Sequence, residues 1–214
     1  TPWPEVRLQF LRQDELAQRA ILARTYMHMT RWSEFWEMLR ACPALQLRRR
    51  VSANLTPEQF CEHLLRLRHL VLRVLACLPD REWIAWADVE PLLRLAWPRF
   101  DQTALQAFGF PGQPGSWFLA HAEDGQPLNP QSAADWDLAQ GSFARWVVLG
   151  PLHWLGFADV LLEGGRLAAL RLHGWAGLYW DQVEAPAAPP HAQALAVGAG
   201  EPGVRTTNCS VLVQ

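Results

Sequence analysis

Apolar positions along the chain fall into stretches of helical and of extended period, separated by proline and glycine. Leu16, Ala20, Ala23 and Met27 recur at helical spacing, and so do Trp32, Phe35, Trp36 and Leu39. Two short helices are therefore expected within residues 14–42, the second stopped by Pro43. The strongest pattern is Phe60, Leu64, Leu67, Val71, Leu75 and Leu78, which step by three and four residues. Thr56 and Gln59 form a capping box ahead of it, and Pro57 at the first helical position gives up only an N–H that has no partner there. Such a stripe must be buried. Glu62, Arg66, His69 and Arg73 lie on the opposite face and read as a solvated surface, and Pro79 closes the helix.

The remainder alternates between extended pieces and helices. Residues 83–86 read as a short extended segment, followed by a helix to Trp97 that Asp88 can cap with Pro91 in its first turn. Residues 99–130 carry Gly109, Pro111, Gly112, Pro114 and Gly115 and read as an insertion, with a hairpin over 117–128 around Asp124-Gly125. Ser132-x-x-Asp135 opens a helix bearing Trp136, Ala139, Phe143, Trp146, Val147 and Gly150, which Pro151 bends or ends. Residues 157–162 and 166–172, joined by Glu163-Gly164-Gly165, predict a second hairpin, and a short helix over 173–180 follows. Residues 45–55 hold Arg48, Arg49 and Arg50 in a row and are expected to form an exposed connection. Three segments result: a helical N-terminal part with its basic connection (1–55), a domain over 56–182 with the insertion inside it, and an Ala/Pro/Gly-rich linker over 183–214 leading into the start of a next element. The expected class is α+β, mainly helical with small hairpins.

From Thr56 onward the order is helix, short strand, helix, insertion, helix, hairpin. That is the order of a winged helix interrupted between its second and third helices, with the hairpin as the wing. Four motifs add a family likeness: Trp32-x-x-Phe35-Trp36, Leu78-Pro79-x-x-x-Trp83, Trp136-Asp137-x-x-x-Gly141, and the string Gly150-Pro151-Leu152-His153-Trp154-Leu155-Gly156. Through these, residues 14–182 resemble the winged-helix accessory region of large bacterial proteins related to the N-terminal part of xeroderma-pigmentosum-type B DNA repair helicases. The resemblance implies a non-catalytic domain beside or replacing a helicase, with DNA or protein contact as its task.

Composition narrows the chemistry. All 19 basic residues are arginine. Without lysine there is no phosphate-binding loop of the G-x-x-x-x-G-K-[ST] kind, no Schiff-base lysine and no S-x-x-K pair. Four cysteines without a C-x-x-C pair read as free thiols of a reducing compartment, so the cytoplasm is the expected location. No apolar run reaches the roughly 18 residues of a membrane span. Seven scattered histidines predict no zinc site, Ser116 and Ser142 lack a G-x-S-x-G setting, and no cofactor is expected. Asp135 and Asp137 point about 200° apart on a helix, so they suit its N-terminus better than shared acid–base work.

Charge and aromatics give the two competing functions. Residues 1–81 hold 13 arginines against eight acids, and residues 82–214 hold six against 13, so a local excess of +5 sits in a chain of net −2. Arg48, Arg49 and Arg50, with Arg145 on the presumed third helix and Arg166 and Arg171 on the wing, are the candidate contacts to DNA phosphates. The third helix otherwise offers only Gln140 and Ser142 against two aspartates, a poor head for reading bases. Twelve tryptophans supply the rival, a surface for a protein partner. Trp36, Trp136 and Trp146 are expected in the core, leaving Trp86, Trp97, Trp117, Trp154 and Trp175 as candidates for an exposed patch.

Overall fold

The computed structural model describes residues 4–49, 56–97, 117–129 and 131–182. Helices α1 (Pro4–Leu11), α2 (Glu15–His28) and α3 (Glu34–Ala41) lead into strand β1 (Leu45–Arg49). Then come α4 (Pro57–Ala76), β2 (Trp83–Ala85), α5 (Trp86–Ala96) and β3 (Trp117–His121). Helix α6 is composite: α-helical over Ala133–Trp136 and Ser142–Val147, widened into a π turn over Asp137–Gly141, and kinked within Val148–Leu152, where Gly150 has non-helical φ −92° and ψ −110° ahead of Pro151. A hairpin of β4 (Ala158–Glu163) and β5 (Arg166–Leu172) and helix α7 (Trp175–Gln182) follow. The chain is thus mixed α+β, with two small antiparallel sheets among the described residues, β1-β3 and β2-β5-β4.

Local chemistry explains where the helices start and stop. Asp14 accepts from the N–H of Ala17, Ser33 from that of Phe35, and Ser132 from that of Asp135. Both bonds of the Thr56–Gln59 capping box are made. At the end of the Gly150 to Gly156 string, Gly156 has φ +73°, its N–H reaches the carbonyl of His153, and the N–H of Phe157 reaches that of Leu152. Those two bonds are a Schellman cap, which needs a residue free to turn left-handed. Leu152 and Phe157, both buried, close it with the apolar contact such caps favour.

Leu64, Leu67, Val71 and Leu75 of α4 are all buried, and α4 packs against α2, α5, α6 and α7. One continuous apolar cluster joins Met27, Phe35 and Met38 of the N-terminal helices to Leu170 and Leu172 of β5. Arg68 lies inside it without exposure, bonded to both carboxylate oxygens of Glu34 and to the carbonyls of Tyr26, Met29 and Trp32.

Several expectations need correction. The basic stretch is a strand rather than a connection as far as Arg49, because β1 finds a partner in β3, with Leu45 opposite His121 and Arg49 opposite Trp117. The 117–128 hairpin is present but short: beyond the turn at Gly125, the His121 N–H donates to the Gln126 carbonyl, the Leu128 N–H donates to the Leu119 carbonyl, and Ala120 bridges to Pro127. Helix α5 starts at Trp86 with no side-chain cap, so Asp88 is inside its first turn and Pro91 lies deeper. Pro91 costs little because Ala87, whose carbonyl loses its bond, is exposed to water. Trp36 is 43% exposed, whereas Trp86, Trp97, Trp117 and Trp175 are buried. His69 is half-buried rather than solvated. Arg50, the residues of the insertion up to 116 and the 183–214 segment lie outside the described residues.

Candidate nucleic-acid interface

The described arginines singled out by sequence lie on separate elements: β1, α6 and β5. Arg48 is exposed on β1, opposite Phe118 of β3, and Arg49 ends the same strand. Arg145 is held within the protein: its guanidinium lies 2.6 Å from the Asp137 carboxylate and also donates to the Asp137 carbonyl and to Ser142. Gly141 makes room for that pair, since a Cβ there would sit 2.9 Å from Asp137 Oδ1 and 3.1 Å from the Trp136 ring. Gln140 is buried as well, and α6 has α3, α4 and β4 against it. What this helix leaves half-exposed, Leu138, Ser142, Arg145, Trp146 and Leu149, holds one cation, already paired with Asp137, and is a poor face for reading a groove. Arg166 is exposed at the hairpin tip but stands opposite Glu163.

Arg171 is the residue around which a site forms. With Arg19 of α2, Arg81 of the turn before β2, His173, Gly156 and Gly174 it lines an open cleft of about 490 Å³ at the base of the hairpin. Arg19 is anchored by the carbonyls of His173 and Gly156 and stacks 5.3 Å over the Phe157 ring, and its contacts among the described residues include no carboxylate. Arg171 and His173 share Asp159, whose Oδ2 lies 2.5 Å from Arg171 Nη2 and 2.8 Å from His173 Nε2. Hydrogen bonds from Arg171, then from His173, hold the Asp159 carboxyl below its ordinary range. Arg81 is 83% exposed, 3.5 Å from Asp80, which also accepts from the N–H of Gly174. Three guanidinium groups thus face two carboxylates, an excess that suits a phosphate-class anion.

Arg81 has φ +64°, a conformation costly for a residue with a Cβ. Its N–H donates to the Leu172 carbonyl at 2.8 Å, and Asp80 bridges to the same residue, so the turn is tied to the end of β5 in this shape. Arg19, Arg81 and His173 escaped the sequence reading because they are single cations on three separate elements. The one available signal was the expected short strand at 83–86 and the hairpin after it; the pairing of β2 with β5 brings the end of β5 beside the start of β2.

A second cavity of about 460 Å³, lined by His121, Glu123 and Asp124, carries an acidic rim unsuited to a polyanion. Among the described residues no three His, Cys, Asp or Glu side chains are grouped to hold a metal ion, and no helix is long and apolar enough to cross a membrane. Among the described residues Cys42, Cys61 and Cys77 form no disulfide. No protein-family model matches the chain, and neither a curated protein nor a solved structure matches it.

Proposed function

We propose that this chain is a winged-helix accessory domain, without catalysis of its own, that contacts the DNA backbone within a helicase-like or DNA-repair-related protein. The order α4, β2, α5, α6, β4, β5 supports the fold reading, as does the sheet order, in which β5 lies between β2 and β4. The observation that carries the DNA reading is the basic cleft of Arg19, Arg81, Arg171 and His173 at the base of the wing. Phosphates rather than base edges are the target, because α6 is packed on several sides and its Arg145 is committed to Asp137.

Titration of end-labelled DNA at low salt tests this. Binding should be tolerant of sequence and should weaken steeply as salt rises, by about 0.9 log unit per phosphate contact for each tenfold increase. Absence of binding at low salt contradicts it. That outcome favours the second reading, a winged helix serving a protein partner, which is supported by the exposure of Trp83, Leu161 and Leu162 at 50%, 47% and 50%.

A further inference from the structure

The outer face of the β2-β5-β4 sheet adds an aromatic group to the cleft. Strand register places Trp83, Arg171 and Asp159 in one row across the three strands, and Ala85, Ala169 and Leu161 in the next. Arg171 reaches over the Trp83 ring at 4.9 Å while also binding Asp159. Trp83 is therefore flanked by a guanidinium in its own row. In the adjoining row its neighbours along and across the strands, Ala85 and Ala169, carry only methyl groups. Side chains two apart on a strand share a face, so this pair of alanines leaves a shallow floor beside the indole. The indole is half exposed above it.

We infer that the site takes a single strand of nucleic acid, with phosphates against Arg19, Arg81 and Arg171 and an unstacked base lying on Trp83 above Ala85 and Ala169. This rests on the DNA reading above and specifies its ligand. A basic groove beside an aromatic platform is how strands are held without sequence preference, since every base has a face to stack. A paired duplex keeps its bases inside the helix and has none to offer Trp83. The half-exposed face of α6 is mostly apolar and its Arg145 is paired with Asp137, which suits it poorly to a duplex groove.

The test compares a labelled oligothymidylate of 12 nucleotides with a blunt duplex of the same length, by anisotropy at low salt. The single strand should bind at least tenfold tighter. Trp83→Ala should weaken single-strand binding by roughly tenfold or more while leaving the duplex unchanged, and Trp83→Phe should retain most of the affinity. Ala85→Leu, on an exposed position, should fill the floor and weaken the single strand in the same way. Equal affinity for strand and duplex, with neither Trp83→Ala nor Ala85→Leu changing it, overturns the inference and leaves the DNA reading standing. No binding to either probe contradicts both. Circular dichroism confirms that each variant is folded, and Ala85→Leu carries the test should Trp83→Ala fail to fold.

Discussion

Arg68 is tolerated in the core because its donors are matched, at 3.0 and 3.1 Å by Glu34 and at 2.7 to 2.9 Å by three carbonyls. Tyr26 joins the set by donating to Glu34, and burial, then the Glu34 charge, pushes its phenol well above the usual range, so it stays a donor. Replacing Glu34 with leucine leaves the guanidinium buried without its counter-charge. Urea unfolding should then report a loss of about 3–5 kcal/mol, and a loss below about 1 kcal/mol would show that the pair is not integral to the fold. His69 gives a pH dependence. Burial pushes its imidazole below the ordinary 6.5, outweighing the bond of its ring to the Met27 carbonyl, which acts the other way. Below about pH 6.5 the unfolded chain takes up a proton that the folded chain refuses, so stability falls as the pH drops toward the folded value. Melting curves from pH 7.5 down to 5 should show a shallower decline for His69→Leu than for the native chain. Asp159 acts in a separate and more acidic window, since a lowered carboxyl contributes stability above its unfolded value near 3.8 and loses it only as pH falls further.

At the scale of elements, what periodicity and caps could reveal was readable. The α4 stripe, the Thr56 capping box and the β4–β5 turn at Gly164 and Gly165, both with positive φ, are local features, and each lies where the pattern put it. Strand β1 was not readable, because its partner begins at Trp117, far along the chain, and only Leu45 and Leu47 mark its alternation. Trp36 follows the α3 stripe, yet α3 has only eight residues and buries Phe35 and Met38; the indole is left at the rim against Phe35 and Phe60. Sequence alone also could not say why Trp136-Asp137-x-x-x-Gly141 belongs together. The π turn over Asp137–Gly141 sets Trp136 and Asp137 against Gly141, and the Asp137–Arg145 pair lies beside it. Gly141→Ala should force that pair apart and cost about 1–3 kcal/mol, measured by denaturant unfolding; a neutral substitution would mean the helix relaxes freely there.

Across the whole molecule, the apolar cluster binds the N-terminal helices and the α4 to β5 region into one core, and the Arg68–Glu34 pair crosses the same junction. That shared core sets Arg19 of α2 beside Gly156 and His173, so part of the proposed contact comes from a helix outside the α4 to β5 region. The candidate site was only partly legible for this reason. Arg171 lies on the hairpin that its sequence pattern marks, while its companions depend on how distant segments pack. The most direct test is the salt dependence of DNA affinity for the native chain and for Arg81→Gly. Glycine suits φ +64° better than arginine does, so the variant should fold as well as the native chain while losing one exposed cation. Arg81→Gly should bind more weakly, with a log–log salt slope shallower by about 0.7 on a single strand or about 0.9 on a duplex. Identical affinity and slope for the two folded proteins would contradict a phosphate contact at this cleft.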